Sequence, residues 1–336
     1  MRDKKTSIGI YRHGGVGDTI QLTALIKAIK MNYSPCHTTV FVRKDCMTIL
    51  RNNDNADLVM EAVSWKEDVE KKSRYFEIFF DCRYITKITF NNPFFKHEVP
   101  KFPAFDKLFE YFTYSNRYLI YLGVNTFNLM FLSTGLMATA DDMFITQEHY
   151  EMPGIEDKKF VCLHTDSVNA PVKSWFSDYW EELSTWLLKK WSVVLVGRKQ
   201  QYDIPCSLDL RSKTDIHQTA NILSRATMLI CPESGLAHVA RAVGTQSVVL
   251  FGPTSPSLFG YPENINIQIG TCRDCFGASS LWMPSCMKFP YAYCMRELTP
   301  EIVMSYLKVI LDGDYSKPEI KQGESVIKSN GRTLYI

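Results

Sequence analysis

The sequence predicts an α/β protein of two doubly wound domains, and three observations carry that prediction. The chain opens on an apolar strand, residues 7–11, that passes through Gly14-Gly15-Val16-Gly17-Asp18 into the helical segment TIQLTALIKAIK. A second unit of the same kind lies at 228–254. There an apolar run ends in Cys231-Pro232, Glu233-Ser234-Gly235 opens a helix through Val243, and a second apolar run follows at 247–251. Strand, turn, helix, strand is one crossover unit of a parallel sheet. Between the two, from Phe160 onward, short apolar runs alternate with amphipathic segments.

Composition bounds the function. A chain of 336 residues with 46% hydrophobic residues holds two cores of ordinary size. Its net charge of +2 gives no electrostatic footprint for nucleic acid. The N-terminus carries no signal-peptide core, and no run reaches the roughly 18 apolar residues of a membrane span. A cytoplasmic protein is expected, with at most peripheral membrane contact. In that compartment ten cysteines read as free thiols or metal ligands rather than disulfides. Cys36, Cys46, Cys82, Cys162, Cys206 and Cys231 are scattered and read as buried apolar fillers.

In chain order, the first strand ends at Arg12 and His13, and the glycines that follow permit a sharp turn and a close approach to another molecule. No Lys-Ser/Thr follows them, so this is not a P-loop, and the dinucleotide fingerprint is absent too. Asp18 stands at the helix start, either as a cap or dipole partner or as a carboxylate lining the crevice. Strands are expected at 38–42, 58–63 and 76–81. Residues 84–131 are crowded with Phe and Tyr. Prolines make the start of that stretch a loop, and 106–121 reads as a helix. Lys87, Lys96, His97 and Lys101 lie on the loop, where an acceptor could be gripped. The polar segment 147–159, with Pro153-Gly154, is the candidate linker. This gives a first domain at 1–152 and a second at 153–311. The second domain has strands at 160–164, 192–197 and 208–210, and helices at 177–190, 215–225 and 299–311. Residues 312–336 read as a polar tail.

Two features of the second domain carry chemistry. The small residues Ser234 and Gly235 sit where a helix leaves its first N–H groups unpaired, a ready anion site. The tight turn Gly252-Pro253-Thr254 closes the next strand at the same sheet edge, so the reading is a pocket for a phosphorylated ligand. In the Cys-rich loop 271–295, Cys272, Cys275, Cys286 and Cys294 follow the spacing C-x2-C-x10-C-x7-C. They read either as a structural zinc or iron site that pins the loop, or as thiols packed around an irregular segment.

Three motifs give the chain its likeness: RHGGVGDTIQLTALIKAIK, VKSW and PESGLAHVARAVGTQSVVLFGPTSP. In order and spacing, from about residue 7 to 311, it resembles the heptosyltransferase-like glycosyltransferases of family 9. The resemblance implies a GT-B fold of two Rossmann-like domains facing across a cleft, with acceptor on the first and nucleotide-sugar on the second. It also implies inverting transfer with no metal or other cofactor at the reacting centre. Asp18 is then the general base, with His13, Gly14, Gly15 and Gly17 at the acceptor side of the cleft. Lys173 binds the donor phosphates, and Glu233, an acid one methylene longer than the family's usual aspartate, reaches the donor sugar or ribose. Ser234, Gly235, His238 and Thr254 complete the donor site, although His238 alone also reads as a packed core residue. Gln201 departs from the glutamate often found at its place. Relatives that modify autotransporter proteins carry an iron-binding cysteine finger near this loop.

The function expected is transfer of a sugar, such as a heptose, from a nucleotide diphosphate to a hydroxyl of a lipopolysaccharide-like saccharide or a protein. The alternatives are a nucleotide-sugar epimerase or hydrolase, which would turn over donor without acceptor, and a non-catalytic nucleotide-sugar-binding module.

Overall fold

The computed structural model describes residues 5–83, 85–92, 124–132, 134–155, 157–167, 170–277, 283–288 and 291–311, and the backbone of 326–329 and 332–335. The helix expected at 106–121 and the loop residues Lys96, His97 and Lys101 lie outside them.

Strands β1 (Thr6–Arg12), β2 (Cys36–Val42), β3 (Leu58–Glu61), β4 (Ile78–Cys82) and β5 (Thr86–Phe90) form one sheet in the order β3-β2-β1-β4-β5. A second sheet contains β6 (Phe160–His164), β7 (Ser192–Val196), β8 (Leu208–Asp209), β9 (Met228–Pro232), β10 (Ser247–Leu250) and β11 (Ile265–Ile267). Its order is β11-β10-β9-β6-β7-β8, and every pairing in it is parallel. Both sheets are therefore doubly wound, with the strand order reversing between β1 and β4 in the first and between β6 and β9 in the second. Ligands of open α/β sheets bind beyond the strand ends at these reversals. The fold is GT-B.

Strand β5 departs from the expectation of a loop. Its residues TKITF alternate buried or half-buried with exposed, and it pairs antiparallel with β4 as an edge strand. Lys87 consequently stands on a sheet edge opposite Asp81 rather than on a loop.

The helices are α1 (Val16–Tyr33), α2 (Thr126–Leu132), α3 (Ser177–Leu187), α4 (Ile216–Arg225), α5 (Gly235–Ala242), α6 (Pro256–Phe259), α7 (Tyr293–Glu297) and α8 (Pro300–Leu311). Helix α1 is buried all round from Thr19 to Ile26 and again at Ala28 and Ile29, which requires cover on more than one side. One covering layer is the first sheet. The other includes α5, whose start meets its own: a Cβ on Gly235 would lie 2.9 Å from Val16 Cβ, and one on Gly17 would lie 2.3 Å from His238 Cδ2. Side-chain contacts add to this seam, with Thr126 Oγ1 donating to Leu258 O at 3.1 Å and Arg241 paired with Asp141 at 2.7 Å.

The segment read as a linker is packed rather than loose. Glu148 N donates to His217 O at 3.1 Å, Arg225 donates to Tyr150 O at 3.0 Å, and Met152 is fully buried. The polar tail also contains structure, since β12 (Val326–Ser329) and β13 (Arg332–Tyr335) pair as an antiparallel ladder. All ten cysteines are free thiols. Of the six scattered ones, five are buried, while Cys206 is half-exposed at the edge of the second core.

Candidate active site

A cleft of about 600 Å³ opens where the two strand-order reversals face each other. From the first sheet it is lined by Gly15, Gly17 and Asp18, and from the second by Lys173, Glu233, Ser234, Gly235, His238 and Thr254. The structure thus brings together nine of the predicted site residues. His13 is exposed and Gly14 packs behind Asp18, and neither lines the cleft. Gln201 is exposed and lies outside it as well.

On the first side, Asp18 sits in the first turn of α1, and its Oδ2 accepts the Gly15 N–H at 2.8 Å. The carboxylate therefore closes the helix start, as the capping reading expects, while 38% of its side chain stays open to the cleft. Its other oxygen pairs with Arg12, which is almost fully buried and also donates to Cys82 O at 2.9 Å. Burial presses the Asp18 pKa upward, but the Arg12 charge and hydrogen bond, with the Gly15 N–H, outweigh it and hold the group below the usual carboxylate range. Arg12 is a residue that sequence reasoning passed over. Its signal was its place at the end of β1, beside the strand-order reversal.

On the second side, Lys173 Nζ donates to Glu233 Oε2 at 2.9 Å, with 15% and 9% of the two side chains exposed. Burial raises the Glu233 pKa, and the Lys173 charge and hydrogen bond override it, leaving the acid ionised. Helix α5 starts beside them with no side-chain cap on Ser234. The Thr254 hydroxyl adds a lesser downward pull on Glu233, and the Ser234 hydroxyl one on the Cys231 thiol. Even so, Ser234 Oγ and Thr254 Oγ1 are both buried without a partner in hydrogen-bond geometry, and Thr254 is only 1% exposed. Buried hydroxyls are rarely left unpaired, and these two lie beside the groups on which they pull, Ser234 near Cys231 and Thr254 near Glu233. His238 is buried, its pKa lowered by burial against the opposing pull of Glu233 and Asp18.

The cleft also includes residues not foreseen from sequence. His164 and Asp166 lie at and just past the end of β6, Gly197 and Arg198 follow β7, and Thr214 and Asp215 precede α4. Strand ends at a doubly wound edge were the available signal. Phe276 and Met283, from the Cys-rich loop, form part of the wall, and Met283 O accepts the Val172 N–H at 3.4 Å. The loop is thus anchored next to Lys173. Cys275 and Cys294 have raised thiol pKa values, first from burial and then from the other cysteines of the set, Cys294 reaching about 12. Among the described residues no three His, Cys, Asp or Glu side chains are arranged to hold a metal.

Sequence and structure comparisons show what the chain is similar to. Residues 126–280 match the model of glycosyltransferase family 9 (heptosyltransferase). Over that stretch the chain is similar to the heptosyltransferases of that family.

Among curated proteins it is 24% identical to lipopolysaccharide heptosyltransferase 1 of Pseudomonas aeruginosa over 41% of this chain and 44% of that protein. The chain spans about half the length of the curated relatives it matches. Among solved structures, the E. coli ADP-heptose lps heptosyltransferase II superposes with a TM-score of 0.56 at 16% identity, over 91% of this chain and 98% of that one. The dodecameric, iron-containing heptosyltransferase TibC, from enterotoxigenic E. coli, superposes in its complex with ADP-D-β-D-heptose with a TM-score of 0.64 at 15% identity. That match covers 92% of this chain and 76% of TibC.

Proposed function

We propose that the protein is an inverting glycosyltransferase that moves a sugar from a nucleotide diphosphate donor, ADP-heptose or a close analogue, to a hydroxyl of a saccharide or protein acceptor. One observation carries the proposal. The unpaired hydroxyls of Ser234 and Thr254 stand at the open start of α5 beside Lys173, and the ionised Asp18 faces the same cleft from the other sheet.

In this reading the diphosphate lies against the α5 N–H groups and both hydroxyls, with the Lys173 ammonium offsetting charge that builds on the leaving group. Asp18 takes the proton as the acceptor oxygen attacks the anomeric carbon, and the diphosphate departs on the opposite face. Glu233 orients Lys173 and is placed to accept hydroxyl hydrogen bonds from the donor sugar or ribose. The ADP-heptose complex of TibC supports this choice of donor. Thermal-shift screening against ADP-, GDP- and UDP-sugars, followed by transfer assays on saccharide and protein acceptors, tests it. Stabilisation by none of the nucleotide-sugars would defeat the proposal, and donor turnover that needs no acceptor would favour an epimerase or hydrolase. The reaction is assigned to the cytoplasm, in keeping with ten cysteines read as thiols or metal ligands rather than disulfides. Among the described residues no helix is long and apolar enough to cross a membrane.

The proposal includes a structural metal, zinc or iron, held by Cys272, Cys275, Cys286 and Cys294. Four soft sulfur donors suit either metal, and the reading rests on the C-x2-C-x10-C-x7-C spacing, since the described side chains are not gathered as a ligand set. The metal would stiffen the wall that carries Phe276 and Met283 and leave the sugar transfer to Asp18. Protein purified without added metal should contain about one ion per chain, the occupancy of a single four-thiolate site. A content near zero, with unchanged melting, would leave packed thiols.

A further inference from the structure

The side of His238 turned away from the cleft is tied to a buried phenol. Tyr261, 4% exposed, follows α6, and its Oη lies 2.6 Å from His238 Nδ1 with the two rings edge to face at 5.4 Å. The same oxygen accepts the Gln21 Nε2 hydrogen at 3.3 Å and lies 3.5 Å from the Met143 sulfur. Gln21 is one turn along α1 from Asp18, so this hydroxyl joins the two helix starts that make the site.

The single hydrogen of Tyr261 separates two arrangements of the imidazole. A phenol has a single hydrogen to give, and burial raises the pKa of this one so that it keeps it. The hydrogen can go to the imidazole nitrogen at 2.6 Å or to a thioether at 3.5 Å, which is a weak acceptor. The alternative, with Nδ1 donating to Oη and the phenol spending its hydrogen on sulfur, replaces a short O–H···N bond with a weak O–H···S one, so the arrangement taken here has Nδ1 as the acceptor. A neutral imidazole with Nδ1 as acceptor carries its hydrogen on Nε2. That nitrogen faces the α1 start, where a Cβ on Gly17 would come within 2.9 Å of it.

We infer that Tyr261 is a positioning residue: its hydroxyl holds the His238 hydrogen on Nε2, so that the imidazole presents an N–H donor to the oxygens of a bound diphosphate. The identity of the anion rests on the glycosyltransferase reading, but the tautomer does not. The arrangement needs a neutral histidine, and burial lowers the His238 pKa against the opposing pull of Glu233 and Asp18.

The test uses full-length protein labelled with nitrogen-15 at histidine, with the His238 signals assigned by loss in His238→Gln. In the absence of ligand, Nε2 should show the shift of a protonated nitrogen and Nδ1 that of an acceptor. Tyr261→Phe should convert them towards a mixed population. Calorimetry with ADP then reads the consequence. His238→Gln, whose amide nitrogen reaches the Nε2 position, should bind within about threefold of wild type, and His238→Asn and Tyr261→Phe should each lose roughly tenfold, the worth of one hydrogen bond to a charged group. A hydrogen found on Nδ1, or equal affinities for the Gln and Asn variants, overturns the inference. Hydrogen on Nε2 in a protein that binds no ADP overturns instead the donor-site reading on which the inference draws.

Discussion

The two helix starts that face each other across the cleft are built alike and finished differently. Each follows a strand at a strand-order reversal, each is rich in small residues, and each has a carboxylate paired to a cation: Asp18 with Arg12, Glu233 with Lys173. At α1 the carboxylate turns back onto its own helix and takes the Gly15 N–H, so the tip already holds its anion. At α5 the carboxylate points to Lys173 instead, no side chain caps the helix, and two hydroxyls stay unpaired. One tip is satisfied from within and exposes a carboxylate. The other is left for an anion from outside. The same local sequence grammar thus yields a group that can receive a proton and a cradle that can bind phosphate.

The largest effect expected from this contrast is on catalysis at the first tip. Asp18→Asn keeps the shape but has one acceptor oxygen where Asp18 has two, so it holds the Gly15 N–H or Arg12 and not both, and it cannot accept a proton. Transfer should fall by about 10²–10⁴-fold, the usual contribution of general base catalysis. ADP affinity, read by calorimetry, should stay near wild type. Parallel loss of both would mean that the first tip also binds the diphosphate, and the contrast would collapse.

Next in size is the second tip. Lys173→Met removes a charge-assisted donor, and ADP affinity should drop by roughly ten- to a hundredfold. It also strands the buried Glu233 carboxylate, a loss of about 3–5 kcal/mol when one member of a buried pair is removed. Adding Glu233→Gln should restore most of the stability measured in denaturant without restoring ADP affinity. Recovery of affinity along with stability would show Lys173 to be structural.

Much of this contrast was legible in the sequence, and what was not has physical reasons. The strand and helix alternation and the open tip at Ser234-Gly235 follow from local patterns, and Lys173 and Glu233 stand within quotable motifs. That these two charges pair with each other was not legible, because 60 residues separate them and only the folded sheet brings them together. Asp18 was legible both as a cap and as a crevice carboxylate, and the geometry shows it capping with part of its side chain open. Arg12 was not foreseen, because a cation at a strand end gains its meaning only from the strand packed beside it, here the Cys82 carbonyl. The antiparallel β5 was hidden because TKITF is a short alternating run that becomes a strand only against β4. The candidate linker is polar by composition, and its anchoring by Met152 and Ile155 was hidden because a few apolar residues among polar ones leave little periodic signal.

The glycines of the two tips give the smallest and most discriminating test. Flexibility alone would explain Gly15, Gly17 and Gly235 equally, since all three stand at helix starts. The structure separates them by what surrounds each. Gly15, with φ −84°, has nothing within 4 Å of where a Cβ would be, so Gly15→Ala should change stability by no more than about 0.5 kcal/mol. A Cβ on Gly235 would crowd Val16 Cβ at 2.9 Å and Gly17 N at 3.3 Å, and backbone cannot yield as a flexible side chain does. Gly235→Ala should therefore cost about 1–3 kcal/mol, as overpacking does, measured by chemical denaturation. It should also weaken ADP binding, because the displaced partner is the opposite tip. Equal costs at Gly15 and Gly235 would mean that these glycines serve the local turn alone and that the two tips are held together by something other than their close approach.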